Sequence, residues 1–133
     1  MSAISHFGDV YAQNAKTVPQ YSEAVNAGRF ATHVGYKMTR DDIIRKYVIM
    51  RFMCDLEVVK SDVEEWFDVS FDEYFDKSLI QLNEFIELGL VRNTLEKVVI
   101  EGAGRLLLRN IAMCFDAYLS RVPKDKPIYS RTV

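Results

Sequence analysis

Arg105 and Arg109 stand four residues apart in the stretch Gly104-Arg-Leu-Leu-Leu-Arg-Asn-Ile-Ala-Met-Cys-Phe-Asp-Ala-Tyr-Leu119. On an α-helix that spacing sets two guanidinium groups on one face, where they can fork onto carboxylates of a ligand or of another protein segment. Asp116, two turns beyond Arg109, offers internal ion pairing as the alternative. Little else in the sequence suits covalent chemistry. There is no Gly-rich phosphate loop, no nucleophile elbow and no HExxH. The only cysteines are Cys54 and Cys114, and the only histidines are His6 and His33. A zinc site would need all four without any close ligand pair, and an iron–sulfur cluster held by this chain alone would need more thiolates than it has. The cysteines therefore read as buried, reduced, small hydrophobes, and His6 as a structural histidine. No catalytic residue and no metal ligand is assigned. The many carboxylates fall in first helical turns and on solvated faces, where capping accounts for them.

The elements that must position these arginines belong to an ordinary globular chain. It has 133 residues, 49% hydrophobic and 27% charged, with a formal net charge of −2. That is one domain's worth, long enough to bury a core without staples. No apolar run approaches the roughly 20 residues that span a bilayer, and the N-terminus lacks the form of a secretory signal. The expectation is a cytoplasmic protein with no membrane partner. The slight excess of acid argues against nucleic acid as a partner.

The opening Met1-Ser-Ala-Ile-Ser-His-Phe-Gly-Asp reads as the end of a buried strand followed by a turn at Gly8-Asp9. Pro19 can begin a short helix that Gly28 closes. From Thr39 the signals sharpen: Thr39 can cap a helix with Asp41 and Asp42 in its first turn, carrying Ile44, Tyr47, Val48 and Phe52 to about Cys54. Ser61-Asp-Val-Glu64 and Ser70-Phe-Asp-Glu73 read as two capping boxes. The second opens a helix that buries Phe71, Phe75, Leu82 and Phe85 and ends at Gly89. Leu90-Val-Arg-Asn93 and Lys97-Val-Val-Ile100 form a hairpin around Thr94-Leu-Glu96, and a last helix follows with Leu107, Ile111 and Phe115 on one face. Pro123 and Pro127 stop it, leaving an extended basic tail.

Three helices, a two-stranded wing and a closing helix make the order of a winged-helix domain, mainly α with a small β-hairpin. The helix before the wing would be the DNA reader, yet the stretch carries Asp72, Glu73, Asp76, Glu84 and Glu87 against Lys77. Such a face repels phosphates. A winged helix used as packing surface fits better, and a non-catalytic interaction module is one reading of the whole.

Three segments carry a more specific reading. Ser2-Ala-Ile-Ser-His-Phe-Gly-Asp-Val-Tyr-Ala-Gln-Asn14, then Arg40-Asp-Asp42 with Arg45 and Met53-Cys54, then Gly104 to Leu119 with the terminal Ser130-Arg-Thr-Val133 resemble the C-terminal part of the oxygen-independent coproporphyrinogen III oxidases. The last-helix motif and tail favour the oxidases proper over their haem-chaperone paralogues. The resemblance covers essentially the whole chain, but family members are several times longer. They begin with a partial (β/α) barrel whose C-x3-C-x2-C motif holds a 4Fe–4S cluster and S-adenosylmethionine; this chain has neither.

The resemblance thus implies a fragment of a radical enzyme of haem biosynthesis that oxidatively decarboxylates two propionates of coproporphyrinogen III to vinyl groups. Residues 1–36 would be the end of the last barrel strand, its exit loop and a short linking helix. Residues 37–121 would be the winged-helix-like domain, and residues 122–133 the tail. It implies that Ile4 contacts S-adenosylmethionine, that the fragment alone binds no cofactor and is inactive, and that its partners are the N-terminal barrel of the same polypeptide and the porphyrinogen. Arg105, Arg109 and Arg131 are the cations expected to meet the substrate's propionates beneath a helical lid.

Overall fold

A computed structural model describes residues 3–119. It divides into two compact units, Met1–Ile43 and Ile44–Val133.

In the first unit, β1 (Ile4–Phe7) and β2 (Val10–Asn14) form an antiparallel hairpin, and β3 (Thr32–Lys37) pairs with the other side of β2. The turn falls at Gly8-Asp9, as expected, with Gly8 at φ 58°, a conformation that costs glycine least. The opening strand is not buried, however. Its residues are exposed throughout, Phe7 at 88%. The two strands that follow were not foreseen, and for the same reason: with no buried face, their alternation carries no apolar contrast. Between them lies α1 (Val18–Asn26), with Pro19 in its first turn and Gly28 just beyond its end at φ 69°.

α2 (Arg40–Asp55) begins at Thr39 through reciprocal capping. The Asp42 N–H donates to Thr39 Oγ1 at 3.2 Å, and the Thr39 N–H donates to Asp42 Oδ2 at 2.7 Å. The same carboxylate oxygen accepts the Tyr36 hydroxyl at 2.7 Å, so β3 and the start of α2 are pinned together.

The second unit holds the core. Ile44, Val48 and Phe52 of α2 pack with Phe71, Phe75, Leu82, Ile111 and Phe115. Phe115 lies 5.0 Å from Phe52 and 5.4 Å from Phe75, ring centre to ring centre. After Leu56 (φ 62°) come β4 (Glu57–Val59) and α3 (Lys60–Phe67). Ser61 lies inside α3 rather than capping it. Its intended partner, Glu64, instead accepts the Phe71 N–H at 2.8 Å and so serves the next helix. The expected single helix after Ser70 is two, α4 (Phe71–Tyr74) and α5 (Asp76–Glu87), ending before Gly89 at φ 68°. β5 (Val91–Asn93) and β6 (Lys97–Ile100) make the expected hairpin, and β4 joins it in the order β4-β6-β5. Helices dominate, with small antiparallel sheets.

The closing element differs most from expectation. A 3-10 turn, Gly102–Leu107, precedes a short α6 (Leu108–Met113). Ile111 and Phe115 are fully buried as foreseen, but Leu108 packs on the core in place of Leu107.

Candidate functional site

Arg105 and Arg109 do not share one α-helical face. The first sits in the 3-10 turn and the second in α6, so the four-residue spacing is divided by a change of helical pitch. Both side chains are exposed, and neither forms an ion pair among the described residues. Asp116 makes no ion pair with them among the described residues; its carboxylate accepts the Tyr118 N–H at 2.8 Å. Between the two arginines Leu106 is 87% exposed. The segment thus presents two cations flanking an apolar side chain, a combination suited to an amphipathic, carboxylate-bearing ligand.

Its seat is close-packed. A Cβ on Gly104 would lie 2.3 Å from the Leu90 carbonyl oxygen and 3.0 Å from Ile100 Cγ2. The Gly104 N–H donates to the Glu101 carbonyl at 2.8 Å, and the Glu101 N–H donates to the Leu90 carbonyl at 2.9 Å. Glu101 is also tied to β5 through its carboxylate, 2.6 Å from Arg92 Nε. The β5–β6 hairpin is therefore the base on which the arginine segment rests.

Ile4 belongs to the first unit. It lies on β1, 67% exposed, opposite Gln13. The pairing places Ile4, His6, Tyr11, Gln13, Val34 and Tyr36 on one face of the sheet, with the His6 and Tyr11 rings 4.7 Å apart. His6 thus lies on an exposed sheet face and packs on the Tyr11 ring. Arg131 lies outside the described residues, as does the tail, residues 122–133.

The second unit also contains a cavity among residues for which the sequence suggested no ligand-binding role. It has a volume of about 750 Å³ and is bordered by Arg45, Tyr74, Lys77, Gln81, Asn110 and Cys114. The Arg45 guanidinium donates to the Phe115 carbonyl at 3.1 Å and lies 5.5 Å from the Phe75 ring centre. Arg45 is committed to structure there, which its mere presence in a helix pattern could not reveal. Burial pushes the Cys114 thiol above its ordinary range, and the Glu84 charge adds to this, against a lowering by a backbone hydrogen bond. Cys54, expected to be buried, is exposed; both cysteines are free thiols. Among the described residues no group of three acidic, histidine or cysteine side chains could hold a metal ion. No described helix is long and apolar enough to cross a membrane.

Comparison with known proteins gives a consistent answer. The family described as HemN C-terminal domain matches residues 38–107. An oxygen-independent coproporphyrinogen III oxidase of Escherichia coli is 40% identical over 119 residues, which is 90% of this chain and 26% of that protein. The enzyme of the same name from Pseudomonas aeruginosa is 34% identical over 133 residues, 100% of this chain and 28% of that protein. Among solved structures, the Escherichia coli coproporphyrinogen III oxidase HemN, described as a radical SAM enzyme, superposes with a TM-score of 0.85 at 41% identity. It covers 88% of this chain, which covers 27% of it. The chain spans about a quarter of the length of the relatives it matches.

Proposed function

This chain belongs to the HemN C-terminal domain family, and on that premise we propose that it is the closing part of an oxygen-independent coproporphyrinogen III oxidase. The complete enzyme converts two propionates of coproporphyrinogen III to vinyl groups, giving protoporphyrinogen IX in haem biosynthesis, in the cytoplasm. The observation that carries this reading is the match in fold to the Escherichia coli enzyme, at 41% identity over 88% of the chain.

The chain has two cysteines, too few for a 4Fe–4S cluster. The cluster and S-adenosylmethionine belong to the preceding part of the polypeptide, where they supply the hydrogen-abstracting radical. The residues described here bind, orient and exclude water. Arg105 and Arg109, exposed and without ion-pair partners among the described residues, take propionate carboxylates; Arg131 supplies a third cation. Ile4 gives S-adenosylmethionine an apolar contact from the open face of β1. The helical unit covers the reaction chamber as a lid. The exposed apolar side chains Phe7 and Phe30 offer a surface for the preceding barrel, which is this segment's partner. The fragment alone is inactive.

The test is anaerobic turnover of the full-length polypeptide, followed as protoporphyrinogen formation. Arg105→Ala, Arg109→Ala and Arg131→Ala should each raise KM for coproporphyrinogen III about tenfold, the loss of one charge-assisted hydrogen bond. Absence of turnover in the wild-type polypeptide refutes the assignment, and unchanged kinetics in all three variants refutes the arginine roles.

A further inference from the structure

We infer that Gly104 is a positioning residue for substrate binding, acting through Arg105; this rests on the reading of that arginine as a propionate contact. The 3-10 turn that carries Arg105 can seat on the β5–β6 hairpin only because position 104 has no side chain. A Cβ there would meet the Leu90 carbonyl oxygen at 2.3 Å, well inside any real contact, and Ile100 Cγ2 at 3.0 Å. Leu90 cannot give way easily, because its carbonyl also accepts the Glu101 N–H at 2.9 Å. Ile100 is a core residue of β6. Any side chain at 104 therefore lifts the turn away from the hairpin. Arg105 follows directly, whereas Arg109 sits beyond the junction at Leu107, on α6, which Leu108, Ile111 and Phe115 hold in the core.

Gly102 is the internal control. It has a positive φ of 49°, so alanine is strained there too, but its added Cβ would meet nothing within 4 Å. Gly102→Ala lowers stability without unseating the turn. Gly104→Ala displaces the Arg105 guanidinium while leaving it chemically intact. The side chain of Glu101 gives a milder handle. Its pair with Arg92 is exposed, so Glu101→Ala preserves the fold while loosening the start of the same turn. By charge alone, removing a carboxylate near cations would improve binding of an anionic substrate. By position, it weakens binding.

The experiment is steady-state kinetics of the full-length polypeptide with coproporphyrinogen III, with thermal melts run in parallel. Gly104→Ala should raise KM about tenfold with kcat changed less than threefold, and Gly102→Ala should leave KM within twofold at a comparable loss of Tm. Gly104→Ala combined with Arg105→Ala and Arg109→Ala should bind no worse than the double arginine variant. Glu101→Ala should raise KM about twofold, and this arm decides the matter if Gly104→Ala does not fold. An unchanged KM in Gly104→Ala, equal effects at 102 and 104, or a KM lowered or unchanged by Glu101→Ala overturns the inference. If Arg105→Ala itself leaves KM unchanged, the reading beneath it fails instead.

Discussion

Lys60 is almost wholly buried at the start of α3, and its ammonium reaches Asp72 Oδ1 at 2.6 Å. The two ends of this pair differ sharply: the lysine side chain is 6% exposed and the aspartate 56%. Removing one partner of a fully buried pair costs about 3–5 kcal/mol, because the other is left charged in a poor solvent. Removing one partner of an exposed pair costs about 0–1 kcal/mol. Asp72→Ala strands the buried end, though water at the aspartate's exposed position recovers part of the loss, so about 2 kcal/mol is expected. Lys60→Met removes the charge that is costly to bury and keeps an apolar stem of similar length against Phe71, whose ring centre is 5.6 Å from the ammonium. The aspartate left behind is hydrated. The change should fall within about 1 kcal/mol of zero. Urea unfolding of the chain, followed by circular dichroism, measures both. The expected order is a clear loss for Asp72→Ala and near-neutrality for Lys60→Met. A loss for Lys60→Met equal to or greater than that for Asp72→Ala would refute the reasoning, because attraction would then outweigh desolvation.

Asp42→Ala removes the acceptor for the Thr39 N–H and for the Tyr36 and Thr39 hydroxyls, and should cost about 1–2 kcal/mol in the same assay; an unchanged midpoint would contradict the cap. At pH 8, iodoacetamide should alkylate exposed Cys54 about tenfold faster than half-buried Cys114, whose thiol resists ionisation. Because the Cys114 thiol is raised in the folded chain, folding holds its proton longer than unfolding does. Stability should therefore fall as pH rises above the ordinary thiol range of about 8.5, and Cys114→Ala should flatten that alkaline decline in unfolding titrations.

How far the sequence speaks depends on whether a residue's job is local. Thr39, Gly28 and Gly89 act on the backbone beside them, and the helices begin and end where they indicate. The hairpin around Thr94 is equally local, since its hydroxyl accepts the Lys97 N–H at 3.1 Å. Ser61 and Ser70 match the capping pattern, yet neither hydroxyl caps a helix; the competing acceptor is Glu64, seven residues from the N–H it takes. β2 and β3 escaped notice because period-2 patterning needs one face hidden from water, and theirs is open. Arg105 and Arg109 were legible as chemistry but not as geometry. Their segment changes pitch after Leu107, and the turn that carries Arg105 is seated by the close approach of Gly104 to the Leu90 carbonyl, a contact that spacing along the sequence does not reveal. Arg131 falls outside the described residues.

The placing of β4 beside β6 has a kinetic consequence. The β5–β6 hairpin closes on a turn of three residues' separation, whereas the Lys97–Glu57 pair that accompanies β4 joins groups 40 residues apart. Loop-closure entropy makes the second event costlier by about 2 kcal/mol before any contact rewards it. β5 and β6 can thus find each other early, while β4 must wait for the helices between to condense. When it docks, it closes the chain that carries α3, α4 and α5 into a loop held by the pairing of β4 with β6. The sheet acts as the latch of the unit, and its first strand in sequence is expected to be its last to pair.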